Sequence, residues 1–198
     1  MESSFAQLET EIERLQKDYY TENGGKNVFF KKTQKYECAN QITNRISIDV
    51  LLEKTCYVLN TSTIVYIDYP LFKKYASPSN FNQIADHIIG KLLQIRSQYG
   101  VIDVWLNLDG FTPSAAERYK GLIELFNNKC ITLDLGFSLA LNKFVIYNCP
   151  GMIDQITYMI TPFMDELKKS KLVTVLKADS KQYVDTVSKL TSYEDSLM

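Results

Sequence analysis

The 198-residue chain is long enough for one domain with a substantial core and short for two. Its net charge of -1 at pH 7 does not indicate the basic surface that binds nucleic acid, so we expect no nucleic-acid partner. No apolar run approaches the length of a membrane span, and the N-terminus MESSFAQLETEIERL is too polar for a signal peptide. The four cysteines lie far apart without a CxxC pair. We therefore expect a soluble, cytoplasmic protein with reduced thiols and no metal site.

The first predicted element is an amphipathic helix near the N-terminus. Its apolar positions recur at alternating steps of three and four residues, and they are Phe5, Leu8, Ile12, Leu15 and Tyr19. Two heptads are too few for a stable coiled coil, so we expect this helix to dock onto its own domain rather than to dimerise. Binding of a protein partner through the same helix is the alternative.

The segment that follows this helix has a weaker pattern. Residues 23–27 are a glycine-containing turn signal, and residues 27–44 are predicted as polar linker with one short strand candidate at 28–30. Residues 46–59 favour a helix, with a strand possible over part of the segment.

Strands and helices are then predicted in alternation. The predicted strands cover residues 63–68, 101–108, 143–148 and 172–176. One helix begins after Asn80 and stops at Gly100, and another begins at Thr112 with Pro113 in its first turn. A closing helix is predicted around residues 183–190. The single histidine, His87, falls on the polar side of the helix after Asn80, where we expect a solvated surface side chain.

This alternation predicts an α/β fold with a mostly parallel sheet flanked by helices. Within residues 101–108, Ile102, Val104 and Leu106 share one aliphatic face, and polar side chains and Trp105 share the other. The helices after Asn80 and Thr112 are expected to cover one face of the sheet. The segment from residue 152 is expected to cover, or open, the other.

That last segment has an apolar stripe with little charge around it. Asp154 is the only charged residue between positions 152 and 164. The stripe at helical spacing includes Ile153, Ile156, Met159, Ile160 and Phe163. The pattern is typical of a helix buried between layers or of a lid over an apolar cavity.

Three short motifs bracket this segment in a fixed order. Asn148-Cys149-Pro150 closes a strand, Pro162-Phe163-Met164-Asp165 interrupts the helix, and Ser170-Lys171-Leu172 enters the next strand. Together with the upstream elements, over roughly residues 63–190, they resemble the CRAL-TRIO lipid-binding domain family. This family includes fungal phosphatidylinositol/phosphatidylcholine transfer proteins and the alpha-tocopherol transfer protein. The resemblance implies that the stripe is a gate helix over a lipid pocket.

We expect a CRAL-TRIO-like domain over residues 61–198 and, where the family usually carries a helical bundle, only a short helical N-terminal extension over residues 1–60. Within that domain we expect an apolar ligand site that meets membranes transiently. The expected apolar lining is Ile102, Val104, Leu106, Phe126, Phe144, Ile146, Ile153, Ile156, Met159, Ile160 and Phe163. Lys171 matches a lysine that the phosphatidylinositol-transfer branch carries after the gate.

The headgroup contacts of that branch are not matched. A glutamate of the branch aligns with Leu139, and its serine and threonine for the choline phosphate align with Ile102 and Val104. We therefore expect a ligand more apolar than phosphatidylinositol or phosphatidylcholine.

Catalytic chemistry is not indicated by the sequence. A Cys-His or Ser-His pair, paired carboxylates, a metal cluster and a phosphate cradle all lack a convincing pattern. We expect a protein that is not an enzyme and that needs no cofactor. The alternative to lipid binding is a protein-interaction or scaffold module on the same fold, with the pocket filled by the protein's own side chains.

Overall fold

The computed structural model describes residues 2–26, 30–60, 62–151 and 166–196. Its helices are α1 (Glu2–Glu22), α2 (Lys31–Thr43), α3 (Ile48–Thr55), α4 (Tyr69–Tyr75), α5 (Phe81–Tyr99), α6 (Pro113–Thr132), α7 (Phe137–Ala140), α8 (Glu166–Ser170) and α9 (Lys181–Ser196). Its strands are β1 (Cys56–Val58), β2 (Ile64–Asp68), β3 (Ile102–Asn107), β4 (Leu141–Cys149) and β5 (Leu172–Leu176).

The strands form one five-stranded sheet in the order β1-β2-β3-β4-β5. Strand β1 is antiparallel to β2, and the other neighbouring pairs are parallel. The predicted α/β class, with a mostly parallel sheet flanked by helices and helical N-terminal residues, is confirmed. The order follows the chain, so each parallel strand needs only a helical crossover to reach its neighbour.

Helices α5 and α6 cover the same face of the sheet. They connect β2 to β3 and β3 to β4, and successive right-handed crossovers in one direction place their helices on one side. Helix α5 ends where predicted, because Gly100 adopts the left-handed conformation (φ 73°) and its N–H donates to the carbonyl of Arg96. Helix α6 begins where predicted, because the Thr112 hydroxyl accepts from the N–H of Ala115.

The opposite face of the sheet is covered by α9. Tyr183 packs edge-on against Trp105 of β3 at 5.2 Å between ring centroids and stacks on Tyr147 of β4 at 5.7 Å. Val187 and Leu190 pack against the same cluster. The closing helix therefore covers the face that the sequence analysis assigned to the segment from residue 152. Residues 152–165 lie outside the described residues.

Helix α1 docks onto the protein's own core, as predicted. Ile12, Leu15 and Tyr19 are buried in the main core cluster, which also contains Ile146 of β4. The apolar stripe through which a protein partner would bind is therefore buried in the core. The division between residues 1–60 and 61–198 stays a prediction, although β1 and the core residues of α1 lie on the N-terminal side of that boundary.

Helix α2 contradicts the prediction of a polar linker over residues 27–44. Its buried positions are Gln34, Cys38, Ala39 and Ile42, which lie on one side of the helix and face α1 and α4. The strand candidate at residues 28–30 is also wrong where it is described, because Phe30 is an exposed cap residue immediately before α2.

The environment of His87 differs from the predicted solvated surface. Its side chain is only 14% exposed, and its Nε2 lies 2.8 Å from the carbonyl oxygen of Cys56. Its Nδ1 lies 3.9 Å from a carboxylate oxygen of Glu53. His87 therefore connects α5 to the end of α3 and the start of β1, because the sheet edge approaches the side of α5 that its sequence marks as polar.

Candidate functional site

The structure brings together the apolar site residues that were predicted on β3, α6 and β4. Ile102 and Val104 belong to one core cluster, and Leu106, Phe144 and Ile146 belong to a neighbouring one. Phe126 of α6 packs against both clusters. The alternation of β3 and the register of β4 explain this arrangement, because Val104 pairs with Phe144 and Leu106 with Ile146.

Two of these residues are part of the packed interior. Ile102 is 1% exposed and Ile146 is 0% exposed, so neither presents surface to a ligand. Ile102 packs in the cluster that contains Leu92 and Ile95 of α5. Ile102 and Ile146 therefore belong to the core on which the candidate site is built.

The other four residues are half-buried and define a surface that we call the apolar floor. It consists of Val104, Leu106, Phe126 and Phe144. The floor lies on the sheet face that carries α5 and α6, at the contact between the two core clusters. Such a surface offers apolar contact area and no ionisable group, so it suits an aliphatic or aromatic ligand.

Two further residues extend the floor and were missed by the sequence analysis. Leu125 of α6 and Leu172 of β5 are half-buried and pack against the same core cluster as Phe126 and Phe144. Leu172 pairs directly with Phe144 across the parallel strands β4 and β5. That pairing could be used only once the register of β5 was known.

Lys171 lies at the edge of this region and is engaged by backbone. Its Nζ donates to the carbonyl oxygen of Ser138 at 3.1 Å and to that of Leu141. Its own carbonyl accepts from the N–H of Phe144 at 2.9 Å. The ammonium group therefore holds α7 and the start of β4 against β5. Its assignment to ligand binding stays a prediction.

The predicted gate residues fall in the part of the chain that is not described. These residues are Ile153, Ile156, Met159, Ile160 and Phe163. Their assignment to a ligand lining stays a prediction from the sequence.

A polar network closes the carboxyl ends of β2, β3 and β4. The Asp68 carboxylate accepts from Asn107 Nδ2 at 2.9 Å and from the Tyr66 hydroxyl at 3.0 Å. Asn148 Nδ2 donates to Asn107 Oδ1 at 2.9 Å, and the Tyr147 hydroxyl donates to that of Tyr66 at 3.2 Å. Burial, followed by the charge of Asp68, raises the pKa of Tyr66. These groups satisfy one another and hold three strand ends together.

The side chains considered for catalysis are those of Asp109, Cys149, Asp134 and His87. Asp109 pairs with Lys177 at 2.5 Å, and Cys149 Sγ donates to the carbonyl oxygen of Ile146 at 3.2 Å. Asp134 has a left-handed backbone (φ 46°) after the end of α6. His87 contacts α3 and β1, as described above.

The cysteine thiols have an environment that disfavours the thiolate. All four cysteines are free. Burial raises the pKa of Cys56 to about 12 and that of Cys38 to about 11. Burial also raises the pKa of Cys130 and Cys149, although Lys168 opposes the shift at Cys130. A neutral, buried thiol is a poor nucleophile and a poor metal ligand.

No family model matches the chain, and no curated protein sequence matches it. Among solved structures, the chain is similar to the crystal structure of Sfh5, with 14% sequence identity and a TM-score of 0.45. The alignment covers 63% of this chain and 48% of the other, so the chain matches about half the length of Sfh5. A similarity at this level does not assign the chain to a family.

Within the described ranges, no helix is long and apolar enough to cross a membrane. The same ranges contain no group of three or more histidine, cysteine, aspartate or glutamate side chains that could hold a metal ion.

Proposed function

We propose that the protein binds, and transfers between membranes, a hydrophobic ligand that lies on the apolar floor. The observation that carries this proposal is the half-burial of four adjoining apolar side chains, Val104, Leu106, Phe126 and Phe144, next to a fully packed core. The sheet and α6 fix these side chains on rigid elements, so the surface exists before a ligand arrives.

The ligand class follows from the chemistry of this surface. Burial is worth about 0.8 kcal/mol per methylene group, so a sixteen-carbon chain gains on the order of 10 kcal/mol. Escape into water would then be slow, and exchange requires contact with a membrane. A lipid with a small polar group fits better than a phosphatidylinositol or phosphatidylcholine. In the phosphatidylinositol-transfer branch of the CRAL-TRIO family, a serine and a threonine that hold the choline phosphate align with Ile102 and Val104, and a glutamate aligns with Leu139.

A gate over the floor completes the proposed function. Strands β4 and β5 are parallel neighbours, and a right-handed connection between them is expected to run over the face that carries α5 and α6. The apolar stripe of residues 153–163 fits such a position, because a gate must contact a ligand when closed and a membrane when open.

Membrane contact has support from exposed apolar side chains at the amino-terminal end of β4 and β5. Leu139 of α7 is 82% exposed, Ile131 at the end of α6 is 68% exposed, and Leu167 of α8 is 40% exposed. Helices α7 and α8 contact each other. We call these three residues the apolar edge.

Substitution of the apolar edge is expected to weaken membrane binding. Leu139→Asp should reduce the fraction of protein that sediments with phosphatidylcholine vesicles about tenfold, because it replaces a membrane-inserting apolar group by a charge. The matched control is Val50→Asp on α3, where the side chain is 47% exposed and lies in a different helix. Equal sedimentation of both variants and the unmodified protein would contradict a role for the apolar edge.

The ligand itself is tested by extraction. Protein purified without detergent is extracted with organic solvent, and the extract is analysed by lipid mass spectrometry. We expect one class of lipid at close to one molecule per protein. A protein that carries no lipid, and that accepts none from vesicles, would refute ligand binding and favour a scaffold with a filled pocket.

We propose that the protein is not an enzyme and that it acts in the cytoplasm without a cofactor. The contacts of His87, Asp109 and Cys149 support the first part, since each group contacts a residue other than these three: the carbonyl oxygen of Cys56, Lys177 and the carbonyl oxygen of Ile146, respectively. Partner binding through the stripe of α1 has no support, because Ile12 and Leu15 are buried in the core.

A further inference from the structure

The outer edge of β5 is an unpaired side of the sheet. Strand β5 is the last in the order β1-β2-β3-β4-β5, and within the described ranges no strand pairs with its outer side. Natural proteins protect such edges with short strands, charged residues, proline or bulges. The other edge strand, β1, has three residues and contacts α3 and α5. Strand β5 has five residues, and none of them is charged, proline or glycine. The edge at β5 is therefore suited to pairing with a further strand.

The backbone of β5 directs alternate residues to this outer edge. The carbonyl of Lys171 accepts from the N–H of Phe144 in β4 at 2.9 Å, so it points inward. In a parallel ladder both backbone groups of a residue point to the same side, and that side alternates along the strand. Leu172 and Thr174 therefore direct their N–H and C=O groups away from β4. The residues that follow each of them direct theirs to β4.

The sequence of β5 with its flanking lysines is the same in both directions. Residues 171–177 are KLVTVLK, with Thr174 at the centre. If a second β5 lies antiparallel with Thr174 opposite Thr174 of the other copy, leucine faces leucine, valine faces valine and threonine faces threonine. Aliphatic pairs and threonine pairs are favourable across neighbouring strands. The strand is therefore complementary to itself in the register centred on Thr174.

The two faces of such a pair continue the two faces of the sheet. Leu172 extends the apolar floor, and Val173 and Val175 pack in the cluster beneath α9. Thr174 and Leu176 are exposed, the latter to 44%. In the antiparallel pair, Leu176 of the second copy lies beside Leu172 on the same face. Its exposed side chain is then covered, and the second copy contributes a residue to the apolar surface.

The lysines at the ends of β5 are held within their own copy. Lys171 and Lys177 would lie across from each other in the antiparallel pair. Lys171 Nζ donates to the carbonyl oxygens of Ser138 and Leu141, and Lys177 Nζ lies 2.5 Å from the Asp109 carboxylate. These contacts fix both ammonium groups on acceptors of the same chain, so the two lysines do not prevent pairing.

The segments that flank β5 differ in charge. Before the strand, α8 carries Lys168 and Lys169 against one acid, Glu166. After the strand, Asp179 is exposed, and the charge of Lys177 is offset by its partner carboxylate. An antiparallel pair brings the basic start of one strand beside the acidic end of the other, whereas a parallel pair would bring like charges together. Charge complementarity thus favours a second copy as the occupant of this edge.

We propose that β5 pairs with β5 of a second copy, antiparallel and centred on Thr174, and joins two five-stranded sheets into one. The contact is isologous, so it closes as a two-fold dimer. The N–H of each Thr174 donates to the Thr174 carbonyl of the other copy, and Leu172 exchanges the equivalent bonds with Leu176. The Leu176 carbonyl also accepts from the Ser180 hydroxyl at 2.8 Å, and a carbonyl oxygen can accept two bonds.

The affinity follows from the size of this interface. Two five-residue strands bury less surface than a standard protein interface, so we expect a dissociation constant on the order of 10 µM. The dimer does not depend on a ligand on the apolar floor, and lipid extraction tests that floor separately. Failure of either proposal is therefore visible without the other.

Sedimentation velocity of the full chain tests the dimer. We expect the average mass to rise from one chain towards two over about a hundredfold range of protein concentration. Thr174→Lys should weaken dimerisation at least about tenfold and leave the single copy folded, because this side chain is exposed in one copy and meets its own charge in two. Thr21→Lys on α1 is the matched control, since it adds the same charge at another exposed threonine. A chain that stays monomeric, or a Thr174→Lys variant that dimerises like the control, would overturn the proposal.

A charge pair at the centre tests the register. Thr174→Glu should dimerise as poorly as Thr174→Lys. An equimolar mixture of the two variants should dimerise again, because only the mixed pair places opposite charges across the two-fold axis. Pairing with a strand of another protein, or in another register, does not give this recovery. A mixture that stays monomeric would overturn the proposal.

Amide hydrogen exchange followed by NMR distinguishes a second copy from coverage of the edge by the same chain. The amides of Leu172 and Thr174 should exchange more slowly as protein concentration rises. Those of Val173 and Val175 are paired with β4 and should be protected at every concentration. Protection of Leu172 and Thr174 that does not change with concentration would mean that one copy covers its own edge, and the proposed dimer would be wrong.

Discussion

Replacing Ile146 by alanine is expected to lower the free energy of unfolding by about 2–5 kcal/mol. Ile146 is fully buried on β4, where it pairs with Leu106 of β3 and Thr174 of β5. Because strands on both sides fix its backbone, the structure cannot close around the lost methyl groups, and a cavity remains. Urea unfolding followed by circular dichroism measures the change.

The control for this substitution is Val50→Ala. Val50 is 47% exposed on α3, so its truncation should change the free energy of unfolding by less than about 0.5 kcal/mol. A loss of under about 1 kcal/mol for Ile146→Ala would mean that this part of the sheet is not packed as described. The apolar floor would then lose its rigid support.

The elements that were predicted from the sequence are those whose pattern is set locally. Helix α5 combines a regular apolar stripe with a glycine that supplies the left-handed C-cap, and both signals act within a few residues. The alternation of β3 likewise fixes which side chains share a face, whatever lies opposite. For this reason Val104 and Leu106 could be assigned to one surface before the fold was known.

Helix α2 was missed because its stability comes from tertiary contacts. Its sequence, KKTQKYECANQIT, is polar and has no strong apolar stripe, so local periodicity favours a linker. The helix is held because small or moderately polar residues such as Cys38 and Ala39 fit closely against α1 and α4. Packing of that kind is a property of three helices together and is not present in one segment.

The layout of the candidate sites depended on contacts between distant segments for the same reason. That α9 covers the second face of the sheet follows from the position of Tyr183 against Trp105 and Tyr147. The burial of Arg118 follows from the approach of α2 and α4 to the start of α6. An arginine on a helix is ordinarily solvent-exposed, so the sequence gave no reason to expect the burial of Arg118.

Leu106→Trp is expected to abolish lipid binding and to change the free energy of unfolding of the lipid-free protein by less than about 1.5 kcal/mol. Leu106 is half-buried in the apolar floor, so a larger ring should fill the space that the ligand occupies. Ile102→Trp is the matched control, because Ile102 lies on the same face of β3 but is 1% exposed. Overpacking there should cost about 1–3 kcal/mol or more, since no free space can take the ring. Lipid content is measured by extraction, and stability by urea unfolding after delipidation. If Leu106→Trp destabilises the protein as much as Ile102→Trp does, the space above Leu106 is already filled by protein, and ligand binding on the floor is wrong.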